Sequence, residues 1–192
     1  MDINQEAFLF DTNEKRNMYK FIDKLYELVD NIDKKYERIA FICIGSDRCT
    51  GDCFGPLVGY NLSKCTLYDF DVYGTINTPV HAKNLVETIN KIDSKTTLII
   101  ALDSSLGCYN HVGFISMGYG GIKPGSGVGK DLPCIGDIFI SGIVNISGFM
   151  PTLLLQNTSL GLVFGMAEVT SNAIKSVMYR KCFKKMKFKV LS

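Results

Sequence analysis

Residues 39–59 read IAFICIGSDRCTGDCFGPLVG, and the reading of this stretch decides the fold class. Its first six residues are almost wholly apolar, whereas a strand with one wet face would alternate. Such a run suits an interior strand of a parallel sheet covered on both faces. Gly45 ends it and a polar loop follows. Pro56 then marks the first turn of a helix to about Lys64, a place where a missing amide hydrogen costs little. A second run of the same kind, TLIIAL at 97–102, is expected to stop at Asp103. Between the two, a short strand near Phe70–Tyr73 and a helix from Thr78-Pro79 to about Ile92 complete a β-α-β-α-β order. That order places helices on both faces of a mostly parallel central sheet.

Upstream, Met18, Phe21, Ile22, Leu25, Val29 and Ile32 recur at helical spacing and predict a helix over 15–36. Residues 1–14 read as frayed. Downstream, 112–117 and 137–146 read as strands. Residues 118–136 hold seven glycines and two prolines and read as a long loop. A helix is expected over 160–182, with Leu162, Met166, Val169, Ala173 and Val177 on one face and a basic tail at 183–192. There is no internal repeat and no heptad pattern. The 192 residues fit a single α/β/α domain.

Hydrophobic types at 46% and charged types at 21% exclude wholesale disorder. A net charge of +2 is too small to argue for nucleic acid, and no direct nucleic-acid binding is expected. The charge is uneven: residues 1–174 carry 14 basic and 19 acidic side chains, residues 175–192 seven basic and none acidic. Such a run suits an acidic partner or a membrane surface, or simply the solvated end of a helix, where basic groups are favoured. The acidic N-terminus lacks a signal-peptide pattern, and no apolar run reaches the roughly 18 residues of a membrane span. A cytoplasmic location without membrane insertion is expected. The seven cysteines then read as reduced thiols. A homo-oligomer is left open.

The acids fall where chemistry is expected. Asp47 and Asp52 lie in the loop after the first buried strand, and Asp103 follows the second. In open parallel sheets the carboxyl ends of strands line the ligand crevice. If these two strands are neighbours, Asp103 and an acid of the first loop face each other. One of two close carboxyls then retains a proton, so one activates water while the other donates to the carbonyl oxygen or leaving nitrogen. The alternative is ordinary: aspartates in turns cap helices or bond their own backbone.

The segments ICIGSDRCTGDCFGPLVG (42–59) and IIALDSSLG (99–107) resemble a family of sporulation proteases of clostridia and bacilli. That family is related to the spore germination protease and, more distantly, to the hydrogenase maturation endopeptidases. The likeness spans about residues 35–185 and includes GTINTPVHAKNL and GYGGIKPGSGVGKDLPCIGD. It implies a three-layer α/β/α sandwich of phosphorylase/hydrolase-like topology. The germination protease carries one aspartate in a G-N-x-x-x-T-x-D-x-x-G-P loop, matched here by Gly45, Thr50, Asp52, Gly55 and Pro56, with Ser46 in place of asparagine. Its other aspartate follows an apolar strand, which points to Asp103. The resemblance thus implies a peptidase with Asp52 and Asp103 as catalytic residues, a protein or peptide substrate such as the small acid-soluble spore proteins, and no cofactor. The maturation endopeptidases instead grip a metal with two acids and a later histidine, and the set available here would be Asp52, Asp103 and His111. A non-catalytic binding or regulatory role in sporulation is the third reading.

Other features weigh less. Asp47, His111, Lys123 and Lys130 are candidate substrate-binding groups around such a site. His81 reads as a neighbour of a helix start. Cys49 and Cys53 form a C-x-x-x-C pair without the second ligand pair of a zinc site. Cys53, beside Asp52, would need a base to serve as a nucleophile. The stretch GSGVGKD at 125–131 fails the phosphate-loop pattern at Pro124 and Asp131, and reads rather as a flap over the cleft. Ser104 and Ser105 lack a nucleophile-elbow context.

Overall fold

Four interior strands make the frame of the protein. A computed structural model describes residues 7–124 and 133–190, with Lys15 and residues 185–190 as backbone alone. The chain runs β1 (Phe8–Asp11), α1 (Lys15–Asp30), β2 (Arg38–Cys43), a 3-10 turn (Thr50–Cys53), α2 (Phe54–Ser63), β3 (Asp71–Tyr73), α3 (Leu85–Ile89) and β4 (Thr97–Gly107). A second 3-10 turn (Tyr109–His111), β5 (Phe114–Tyr119), β6 (Ile138–Ile146), α4 (Pro151–Gln156) and α5 (Leu160–Val190) complete it. The strand order is β1-β5-β6-β4-β2-β3. Strands β3, β2, β4 and β6 are mutually parallel, and β5 runs antiparallel to both β6 and the edge strand β1. This is the mostly parallel sheet that the two apolar runs predict.

Helices α1, α2 and α5 cover one face. Leu25, Leu28, Phe54, Val58, Met166 and Ile174 interlock there with Phe41, Leu98, Ile100, Leu102, Ile138 and Ile140. Full burial of each such side chain is worth about 1.5–3 kcal/mol. The other layer is thinner. Val80, Leu85 and Ile135 pack on Ile42, Ile44, Ile99 and Ala101, with Ile89 and Ile122 beside them.

Several boundaries differ from the sequence reading. Residues Phe8–Asp11 are not frayed but form an edge strand on β5, while 1–6 lie outside the described residues. Helix α1 stops at Asp30 rather than 36. The helix expected over 78–92 is only Leu85–Ile89, because Val80 is drawn into a bridge with Ile44 and Asn84 Oδ1 accepts from the His81 amide at 2.8 Å. The strand TLIIAL does not stop at Asp103. It runs to Gly107 because β6 continues to pair with it after β2 has ended. The expected loop 118–136 begins inside β5 and is pinned at its base by reciprocal hydrogen bonds of 2.9 Å between Ile122 and Ile135. Helix α5 continues through much of the basic segment, to Val190. Arg180 pairs with Asp23, and Lys181 and Lys184 with Asp30, so part of that charge meets acids of α1.

Candidate active site

The site is built where β2 ends and β4 continues. Ile44 N–H donates to Leu102 O at 2.7 Å, holding the chain in line one residue beyond β2. At Gly45 the backbone turns with φ +142°, a region that side chains other than glycine rarely enter. The loop then folds back: Ser46 N–H donates to Asp52 O at 3.1 Å, and Asp52 N–H donates to Cys49 O at 2.9 Å. A Cβ on Gly45 would lie 2.1 Å from Asp52 O, so this return leaves no room for a side chain. The glycine therefore lets the acid-bearing turn sit on the sheet edge. Phe54, fully buried directly after the turn, anchors it from below and presses its ring on Gly142 of β6, where a Cβ would stand 3.0 Å from the ring atoms.

Asp103 occupies the first β4 position past the last β2 partner, since Cys43 pairs with Leu102. It shares the parity of Ile99 and Ala101, so it points to the thinner layer. It is 9% exposed, and its Oδ1 accepts the Ser104 N–H at 2.8 Å. Burial, and secondly the charge of Asp52, push its pKa well above the usual carboxylate range, against the pull of the Ser104 amide. Both influences favour the protonated form of Asp103, and Asp52 is close enough for its charge to be felt there. Asp52 is half-buried on the 3-10 turn.

The neighbouring candidates separate. Asp47 is exposed in the same loop, and its charge reaches Cys53. Burial raises the Cys53 thiol first, then the charges of Asp52 and Asp47; burial likewise raises Cys49. Both thiols are thus kept protonated, the reverse of what a cysteine nucleophile requires. Cys53 Sγ instead lies 3.4 Å from Ser46 O and 3.3 Å from Cys49 O, inside the loop. His111 is not brought to the acids. It sits on the turn beyond Gly107, against the Phe114 ring at 5.3 Å, and four strand residues from Asp103 to Gly107 span about 13 Å. Among the described residues, no three His, Cys, Asp or Glu side chains gather as a metal set, so the donors present do not fit the Asp52–Asp103–His111 ligand set. Lys123 is exposed at the foot of the glycine-rich excursion, and Lys130 lies outside the described residues.

Ser141 escaped the sequence reading, and Ser105 was weighed there only as a nucleophile. Ser141 Oγ donates to Ser105 Oγ at 2.9 Å beside Asp103. Asn145 also emerges, its Nδ2 donating to Leu154 O at 2.9 Å and Thr158 Oγ1 at 3.1 Å, which ties α4 to the sheet end. Their signal is a parity of polar residues within otherwise apolar strands, visible only once the partner strand is known.

By its fold the protein is an α/β/α protein built on a mostly parallel six-stranded sheet. Residues 9–173 match the family described as "Protein of unknown function (DUF1256)", and the chain belongs to that family. It is 50% identical over 138 residues to "Uncharacterized protein YyaC" of Bacillus subtilis (strain 168), an alignment covering 71% of this chain and 67% of that protein. Its fold is similar to that of the NiFe hydrogenase maturation protease HycI from Thermococcus kodakarensis KOD1, with a TM-score of 0.56 and 18% identity over 81% of this chain and 99% of that one. Among the described residues, no helix is long and apolar enough to cross a membrane.

Proposed function

We propose that the protein is a peptidase in which Asp52 and Asp103 act on a peptide bond through an activated water. The observation that carries this reading is geometric: Asp103 is buried just past the last β2 partner on β4, within reach of the charge of Asp52 on the turn that follows β2. Asp52, as carboxylate, takes a proton from the attacking water while Asp103, in its protonated form, donates to the scissile carbonyl oxygen. As the tetrahedral intermediate collapses, Asp52 passes the water proton to the leaving nitrogen and Asp103 recovers its proton from the hydroxyl that becomes the new carboxyl group. The fold shared with a maturation protease supports a peptidase, and the germination-protease pattern around Gly45, Asp52 and Pro56 supports the acid pair. The resemblance to sporulation proteins extends the reading to a sporulation role with small acid-soluble spore proteins as substrates.

The test is cleavage of such a spore protein by the purified chain, followed by mass spectrometry of the products. Asp52→Asn and Asp103→Asn are each expected to lower kcat by at least a hundredfold with the fold intact, while chelation leaves the rate unchanged. Cleavage that survives both substitutions would refute the acid pair.

A further inference from the structure

The sheet register extends the candidate site sideways. Asp103 on β4 pairs with Ser141 on β6, Ser141 with Ser116 on β5, and Ser116 with Leu9 on β1. The adjacent row, Leu102, Ile140 and Met117, lies in the core beneath α1, α2 and α5. Side chains alternate along a strand, so Asp103, Ser141 and Ser116 share the opposite face. At about 4.8 Å between strands, the row runs roughly 14 Å from the acid to the sheet edge. Ser105, two residues beyond Asp103, projects to the same face and is bonded to Ser141.

This face is not covered evenly. Over β2 and β4 it is packed by the Val80, Leu85 and Ile135 group. Among the described residues, the helices packed most extensively on β5 are α1 and α5, which belong to the other layer. Leu9 at the far end is 44% exposed and Ser116 is half-exposed, whereas Ser141 at 8% is as buried as Asp103, so the row opens only toward β5 and β1. Among the described residues, the Ser116 hydroxyl makes no hydrogen bond. The next row inward holds Ala101, Phe139 and Gly118, of which two are small.

We propose that Ser141 and Ser116, steadied by Ser105, bind the main chain of an extended substrate segment that leads away from Asp103 across β6 and β5. The inference rests on the peptidase reading and names the kind of substrate that site takes. A hydroxyl both donates and accepts, so a row of them meets the alternating N–H and C=O groups of a peptide without selecting a charge. Past Asp103 the row carries no charged side chain. Its serine floor lets a backbone approach closely. The substrate class is therefore an unfolded, extended segment whose residues on the contacting side are small.

The experiment measures binding apart from cleavage. The probe is a fluorescein-labelled twelve-residue peptide of alanine, serine and glycine, titrated by anisotropy against the full chain carrying Asp103→Asn. Adding Ser116→Ala and Ser141→Ala together is expected to weaken binding at least tenfold, whereas Ser116→Thr, which keeps the hydroxyl, retains it within about threefold. Unfolding midpoints confirm that the variants remain folded. Amide shifts induced by the peptide are expected at Leu9, Ser116 and Ser141. No binding up to millimolar peptide, affinity unchanged by the double alanine variant, or shifts confined to another surface would overturn the proposal. The two readings fail separately: cleavage indifferent to both acids sinks the acid pair alone, and acid-dependent cleavage indifferent to the serines sinks the binding row alone.

Discussion

Gly45→Ala tests the device that brings the two acids together. The substitution forces an L side chain to φ +142°, for which a cost of about 1–3 kcal/mol is expected. The new Cβ would lie 2.1 Å from Asp52 O and 2.9 Å from Pro56 Cδ, where ordinary contact begins at 3.4 Å. The Asp52 carbonyl must therefore withdraw by about 1.3 Å, the difference between 3.4 and 2.1 Å. Pro56 and the buried Phe54 restrict that movement, so the Ser46 amide loses its acceptor, at a further cost of about 0.5–1.5 kcal/mol. The expected loss of stability is about 2–4 kcal/mol, read as a lower urea midpoint at unchanged slope. On the peptidase reading proposed above, cleavage is expected to slow as well, because a shift of about 1 Å in a reacting group costs on the order of a hundredfold. Gly165→Ala is the control. Nothing lies within 4 Å of its Cβ on α5, and alanine is the better helix former by up to about 1 kcal/mol, so this variant gains stability. If Gly45→Ala unfolds within about 0.5 kcal/mol of the parent protein, the loop does not depend on that close approach and the reasoning fails.

Asp103→Asn should stabilise the protein at alkaline pH. A carboxyl whose folded pKa is raised stabilises the fold fully below its unfolded value, and that contribution is lost as pH rises through the folded value. Urea midpoints at pH 5 and pH 8 should therefore diverge less in the variant than in the parent. Asp30→Asn acts oppositely: the hydrogen bond from Lys184, then that from Lys181, holds the Asp30 carboxyl low, so its stabilisation is lost as pH falls through the folded pKa. Because these groups are partly exposed, the loss at neutral pH stays below about 1 kcal/mol and shrinks in molar salt, as thermal melts would report. Asn145→Ala removes two donors that tie α4 to the sheet, for a cost of about 1–2 kcal/mol and faster amide exchange in Pro151–Gln156.

The parts legible in the sequence are those whose cause is local. IAFICI and TLIIAL are apolar without alternation, and both faces of their strands are indeed covered. Strand β1 was not legible because FLFD is four residues whose order comes from pairing with β5, about a hundred positions away. Helix α4 was missed for a similar reason: one and a half turns of PTLLLQ gain stability from Asn145 and Thr158 rather than from periodicity. The end of β4 was misplaced because an aspartate after an apolar run reads as a stop, whereas β6 supplies partners up to Gly107.

The candidate site divides along the same line. That Asp52 and Asp103 lie near strand ends follows from sequence order, but which face Asp103 takes follows from parity with Ile99 and Ala101. The upward push on its pKa then follows from burial on that face and, secondly, from the charge of Asp52. A polar row from Asp103 to Ser116 needs two registers, β4 with β6 and β6 with β5, and neither can be read from any single segment. A one-residue slip of β6 would turn Ser141 into the helix-side core and Ile140 toward Asp103. The apolar requirement at Ile138 and Ile140 forbids that slip, so the residues that bury the core also fix which polar groups stand beside the acid.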